Sequence, residues 1–393
     1  MKDDGKRKLR LGVAGLGRAF TVMLPSFAAD ERVLLVAAAD PRADARERFA
    51  KEFSAATYDS VAAMCADPQV EVVYIATPHQ HHAAHAKIAA QHGKHLLIEK
   101  PLAITIEECK AITEAAQRAD VQIVVGHSHS FDAPIARTRA LIESGSYGSV
   151  RMITALDYTD FLYRPRRPEE LDTAQGGGVA FSQAAHQVDI VRLLGGGRVR
   201  SVRAMTGAWD AKRPTEGAYA ALLTFENGAF ASLSYNGYGH FDSDEFQGWI
   251  GEMGQRKQPN APRTRAAYAN EAAEAAAKAA RNYGGPNYQP AKTGGLAHQH
   301  FGTIVVSCER ADLRPMPDGV MIYQSGVAKL DPLPSPEVPR AEVIDELYDA
   351  LVNGHAPLHD GAWATATLEV CLALLTSARE GRDVTVKHQV APR

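Results

Sequence analysis

Short, continuous apolar runs alternate with helical stretches through the first 125 residues or so, and this alternation limits the fold more than any other feature. Leu9–Ala14, Val33–Ala39, Val70–Ala76, His95–Ile98 and Val121–Val125 each read as a buried strand. Between them, 83–91 is amphipathic and ends at Gly93, and 106–118 carries Glu107 and Glu108 in its first turn, where a helix dipole favours acids. Strands that are apolar on both faces, joined by helices, predict an α/β fold with a doubly wound parallel sheet.

The first strand runs into Gly12-Val13-Ala14-Gly15-Leu16-Gly17-Arg18-Ala19-Phe20. Gly15 and Gly17 permit a tight turn and close approach of backbone to a pyrophosphate, and the following helix offers its N–H groups to that anion. The third glycine of the fingerprint is absent, since Phe20 stands there. Asp40, at the end of the second strand, sits near the ~20-residue spacing expected of an acid that binds the cofactor ribose. A carboxylate there favours NAD, whereas Arg42 offers a partner for the phosphate of NADP.

Ligands of open parallel sheets bind beyond the carboxyl ends of the strands. Thr77-Pro78, Lys100 and 127–130 all follow such ends and are expected to converge on one crevice. In Glu99-Lys100-Pro101 the lysine closes a buried run, where burial can lower its pKa and make it an acid or base. His79, His81, His82 and His85 invite a metal reading, but no further acid or cysteine is spaced to complete a site, so cofactor contacts or packing at the helix start are expected and no metal is assigned.

From about Gly148 the pattern changes. Val150–Tyr158, Val199–Trp209, Ala218–Phe225 and Ala229–Tyr238 read as strands, and Asn227-Gly228 marks a hairpin. This half is expected to be α+β, with a largely antiparallel open sheet and helices on one face. The spacing predicts helices over 134–143 and 179–194, the second placing Ser182 and His186 on one face. Arg164, Arg166 and Arg167 share one loop; they suit a carboxylate, or form a solvated loop, the commoner case. The alanine-rich stretch 258–288 reads as an insertion in the sheet domain, a lid or an oligomer contact. Strand character resumes over 301–308 and 320–323. A proline-rich linker (332–339), helices at 342–352 and 363–378 and a final strand at 382–387 complete the chain. The expected domains are 1–127, which binds dinucleotide, and 128–393, which binds substrate and mediates oligomerisation.

With 393 residues, 45% hydrophobic and 23% charged, the chain has an ordinary globular composition, and its net charge of −3 gives no footprint for nucleic acid. No apolar run is expected to span a membrane, and the polar amino terminus lacks the apolar core of a signal peptide. Cys65, Cys109, Cys308 and Cys371 are widely spaced, which fits a reduced cytoplasmic setting.

Taken together, the chain resembles the Gfo/Idh/MocA (glucose–fructose oxidoreductase and inositol dehydrogenase) family over nearly its whole length. The resemblance rests on Gly12–Arg18, on Ala76-Thr77-Pro78 with His82, on Gly93–Ala103 with its Glu-Lys-Pro, on Gly176-Gly177-Gly178 leading to His186 and Asp189, and on Asp360-Gly361 and Ser377-Ala378. It implies an NAD(P)-dependent oxidoreductase that takes hydride from a ring carbinol carbon. Lys100 matches the family's catalytic lysine and His186 its active-site histidine. Ser182 stands where the family carries an aspartate, and Ser130 where it carries an arginine. The cofactor set is then Gly15, Gly17, Arg18, Ala19, Phe20, Asp40, Arg42, Thr77, Pro78, His82, Glu99 and Lys100, and the substrate set Lys100, His129, Arg164, Ser182 and His186. The departures and Phe301–Arg310 resemble the branch that oxidises the 4,5-cis-dihydrodiol of phthalate to 4,5-dihydroxyphthalate. That implies a dicarboxylated cyclic dihydrodiol as substrate, with Arg164, Arg166, His129 or His298 meeting its carboxylates, and a homodimer or homotetramer. A polyol or sugar dehydrogenase and a non-catalytic dinucleotide-binding regulator are the alternatives.

Overall fold

A computed structural model describes residues 7–259, 268–290 and 294–393. The polar residues 1–6 and residues 260–267 of the expected insertion lie outside the described residues. The chain forms two compact units, one of 1–127, 272–293 and 338–365, the other of 128–271, 294–337 and 366–393.

The first unit is built on β1 (Leu9–Ala14), α1 (Arg18–Ala29), β2 (Val33–Ala39), α2 (Ala43–Phe53), β3 (Ala56–Tyr58), α3 (Val61–Cys65), β4 (Val72–Ile75), α4 (His82–Gln91), β5 (His95–Ile98), α5 (Ile106–Ala119) and β6 (Ile123–Val125). The six strands pair in the order β3-β2-β1-β4-β5-β6, all parallel. Val13, Val72, Val73, Tyr74, Ile75, Leu96, Leu97 and Ile98 are all fully buried, as a sheet covered on both faces requires. The sequence reading misses α2, β3 and α3. Only Ala45 and Phe49 of α2 are buried, so its apolar stripe is too thin to register, and β3 is three residues long.

The expected insertion divides differently from the sequence reading. Its residues from 272 onward pack with the first unit, where Tyr283 is fully buried and meets the rings of Phe20 and Phe49 at 5.3 and 6.2 Å. Residues 338–365, which start within the proline-rich linker, join the same unit, so its boundary is not a single point at 127/128.

The second unit holds a nine-stranded sheet: β7 (Val150–Tyr158), β8 (Val199–Gly207), β9 (Ala218–Phe225), β10 (Phe230–Asn236), β11 (Thr303–Cys308), β12 (Asp312–Met316), β13 (Gly319–Gln324), β14 (Val327–Pro332) and β15 (Val384–Thr385). The order is β14-β13-β12-β11-β7-β10-β9-β8-β15, and every pairing is antiparallel except β7 with β10. The expected Asn-Gly hairpin joins β9 to β10. Two strands escape the sequence reading: β12 carries Pro315, and β14 is a mostly exposed edge. Helices α6 (Ala133–Glu143) and α7 (Ala185–Gly195) pack on one face. Pairing register puts Met152, Met205, Leu222, Phe230 and Tyr323 together on the other, where all five are exposed.

Two helical expectations change. Residues Ala180–Ala184 form a π-helical turn ahead of α7, and Asp349–Asn353 another after the helix Ala341–Tyr348. Among the described residues, Gly361–Glu380 is long and apolar enough to cross a membrane, against the expectation of no such run, but 61% of its most apolar window is buried inside the protein, as for a core helix.

The loop that follows Lys100 is anchored at the start of α5. Thr105 Oγ1 accepts the Glu108 N–H at 3.1 Å, and Glu108 Oε2 accepts the Thr105 N–H at 3.2 Å. Thr105→Ala is expected to cost about 1 kcal/mol, read as a lower denaturant midpoint at unchanged slope.

Candidate active site

In the first unit the turn from β1 to α1 is shaped for a phosphate. Gly15 has φ +95° and a Cβ there would lie 2.9 Å from the Ala76 carbonyl, so only glycine fits. A Cβ on Gly17 would meet nothing within 4 Å, and no side chain caps the α1 amino terminus that Gly17 begins. Open space before uncapped N–H groups fits a pyrophosphate. Arg18 is exposed at the first position of α1, followed by half-buried Ala19. Phe20 replaces the third glycine without crowding the strands, because its ring packs against Phe49 and Tyr283 instead. Asp40 is buried just beyond the end of β2, and its Oδ2 accepts the Leu16 N–H at 2.8 Å, which brings the acid to the turn. Arg42 donates to Asp40 at 3.1 Å and to the Leu16 carbonyl at 2.8 Å.

The carboxyl ends of β4 and β5 are tied together around Lys100. Glu99 N–H donates to the Ile75 carbonyl at 3.0 Å, and the buried Glu99 carboxyl accepts the Tyr74 hydroxyl at 2.6 Å. Burial raises the Glu99 pKa. His82 is fully buried, with one ring nitrogen 2.9 Å from the Pro101 carbonyl and the other 2.9 Å from that of Thr77. It sits between the two loops with a single donor, since burial lowers its pKa and a neutral imidazole donates to one carbonyl at a time. Thr77 Oγ1 lies 3.0 Å from His85 Nδ1, while burial brings His85 down to about 4, which leaves it neutral. Pro78 opens the helical turn that follows, and Lys100 is half-buried above these ties. Neither the His82 contacts nor the Tyr74–Glu99 bond is visible in the sequence, since both depend on strand register.

In the second unit His186 is buried on α7. Its ring lies 4.8 Å from that of His129 and 5.1 Å from that of Phe301. Ser182 lies on a π turn ahead of α7, and its hydroxyl donates back to the Gly178 carbonyl. Ser130 donates to Asp189, which also accepts from Thr367 at 2.8 Å, so this pair anchors α7.

His129 is the centre of a polar cluster. Its Nδ1 lies 2.7 Å from Asp132 and its Nε2 3.5 Å from Glu252, which in turn lies 4.0 Å from Arg164. Burial disfavours charge on His129, but Asp132 and Glu252 outweigh it and push its pKa up to about 9, so it is an imidazolium at neutral pH. Buried Asp157 is pushed up to about 7, by desolvation first and then by Glu252. Arg164 is partly exposed, whereas Arg166 lies 3.6 Å from the centre of the Phe161 ring and burial brings it down to about 10, still charged at neutral pH. His298 turns to the Pro334 carbonyl at 2.8 Å. Asp132, three residues after His129, was open to a sequence reading; Glu252 and Asp157 gave no local signal.

Residues 9–127 match the oxidoreductase family with an NAD-binding Rossmann fold, and residues 135–249 match the GFO/IDH/MocA C-terminal domain. A 1-carboxy-3-chloro-3,4-dihydroxycyclohexa-1,5-diene dehydrogenase of Comamonas testosteroni is 48% identical over 94% of this chain and 95% of its own. The chain belongs to the Gfo/Idh/MocA family. It is an NAD(P)-dependent oxidoreductase rather than a non-catalytic regulator. A crystal structure from Bordetella bronchiseptica RB50 superposes with a TM-score of 0.89 at 42% identity, covering 96% of this chain and all of that one. Levoglucosan dehydrogenase in complex with NADH and levoglucosan shares the fold, with a TM-score of 0.73 at 18% identity over 97% of this chain and all of that one.

The His129 cluster makes stability depend on pH. Because the folded pKa is raised from 6.5 to about 9, its contribution is fully present below pH 6.5 and is lost as pH rises through about 9. Raised Asp157 acts in the same direction at lower pH, between 3.8 and about 7. Thermal unfolding temperature is expected to fall from pH 6.5 to 9, and Asp132→Asn is expected to flatten that slope. An unaltered slope in the variant would contradict the assignment.

Proposed function

We propose that this enzyme oxidises the cis-dihydrodiol of a ring-carboxylated cyclohexadiene, such as that of phthalate, to the corresponding catechol in aromatic catabolism. The observation that carries this reading is the packed ring cluster of His129, His186 and Phe301 in the same unit as the partly exposed Arg164 guanidinium: aromatic faces suit a flat ring, and the guanidinium suits its carboxylate. The carboxylated cyclohexadiene-diol named for the Comamonas relative supports the same substrate class.

NAD supplies the hydride acceptor, and Gly15, Gly17 and Asp40 would hold it. The protein's part is to position the diol and move a proton. Lys100, held by the β4–β5 ties, takes the hydroxyl proton as the carbinol carbon gives up hydride. His186 orients the diol oxygens. The ketone so formed tautomerises to an aromatic catechol, which makes the net oxidation strongly downhill. Arg164, whose side chain is partly exposed, meets a carboxylate, while His129 stays engaged with Asp132 and Glu252. The exposed apolar face of the nine-stranded sheet suits pairing with a second copy, giving a homodimer or a homotetramer. The free cysteines fit a cytoplasmic enzyme.

The test is a panel of carboxylated and uncarboxylated cis-dihydrodiols, inositols and sugars, followed by NADH formation. Carboxylated dihydrodiols are expected to give the highest kcat/KM; a higher value for an inositol or sugar would contradict the reading. Lys100→Ala is expected to lower kcat by about 10²–10⁴-fold while NADH binding persists, and wild-type turnover in that variant would refute the role of Lys100.

A further inference from the structure

The segment after the helix Glu271–Ala279 docks on the nucleotide-binding unit beside the ribose-binding acid, and no part of the reaction described so far uses it. Tyr283 is fully buried there. Its hydroxyl donates to Glu52 on α2 at 2.8 Å, and the Arg48 guanidinium lies over the rings of Tyr283 and Tyr288 at 5.2 and 4.7 Å. Gly284, with φ +80°, approaches the start of α2 so closely that a Cβ would lie 2.8 Å from Ala45 Cα.

This contact reaches Arg42. Its Nη1 donates to the Tyr283 carbonyl at 3.1 Å, its Nη2 to the Leu16 carbonyl at 2.8 Å and its Nε to Asp40 at 3.1 Å. Every nitrogen of the guanidinium is thus committed to the protein. An arginine beside the ribose acid is the group that would accommodate a 2′-phosphate. We infer that the docked segment, through the Tyr283 carbonyl, holds Arg42 away from the cofactor and so sets the preference for NAD over NADP. Asp40 adds repulsion of a phosphate, but Asp40 and Arg42 together leave the preference open until the arginine is restrained. The restraint comes from far along the chain, which is why the sequence around Asp40 alone points both ways.

The test is equilibrium binding of NADH and NADPH to the full-length protein by fluorescence titration, which needs no substrate and stands or falls apart from the proposed function. Gly284→Val drives a side chain into Ala45 and displaces the segment, and Tyr283→Ala removes its anchor, so either variant serves if the other fails to fold. Wild type is expected to bind NADH more tightly. Release of the segment is expected to narrow that preference by about tenfold or more, equivalent to ~1.4 kcal/mol, and adding Arg42→Ala is expected to abolish the gain in NADPH affinity. A wild-type protein that binds both cofactors equally, a preference unchanged in the released variants, or a gain that survives Arg42→Ala would each overturn the inference.

Discussion

The arrangement of the nucleotide-binding unit depends on the tie between the carboxyl ends of β4 and β5. Parallel strands end in loops with no ladder to hold them, yet Lys100 sits on such a loop. Tyr74 donates across to Glu99, and His82 lies between the Thr77 and Pro101 carbonyls and donates to one of them at a time, so buried polar contacts hold the loops beside the lysine. A buried carboxyl and a buried imidazole are costly without partners and specific with them. Glu99 and His82, both expected to touch cofactor, have these side-chain atoms engaged with the protein.

The second unit solves a different problem. A flat sheet offers a broad surface but few charged groups, and charge is gathered where β7 meets the loops around 129, 164 and 252. Asp132 and Glu252 hold charge on a histidine that burial alone would neutralise. Ser182 lies on a π turn and its hydroxyl donates to the Gly178 carbonyl. The polar work beside His186 falls to His129 and its two acids.

Much of this was legible in the sequence. Both sheets, the β9–β10 hairpin and the placement of Gly15, Gly17, Asp40 and Lys100 at strand ends follow from apolar period and glycine spacing, which are local signals. What was not legible depends on residues distant in sequence. The docking of Tyr283 on Phe20 and Phe49, the reach of Glu252 to His129 and the restraint of Arg42 by the Tyr283 carbonyl leave no periodic trace. The π turns were hidden for another reason: one inserted residue per turn leaves composition unchanged.

The most direct measurement is hydride transfer itself. A ring-carboxylated cis-dihydrodiol deuterated at the carbinol carbon is incubated with the enzyme and NAD, and the reduced cofactor is analysed. The account predicts one deuterium in each reduced nicotinamide and a catechol product, with a lower kcat/KM for the same diol lacking its carboxylate. Reduced cofactor without deuterium, or equal rates with and without the carboxylate, would contradict it.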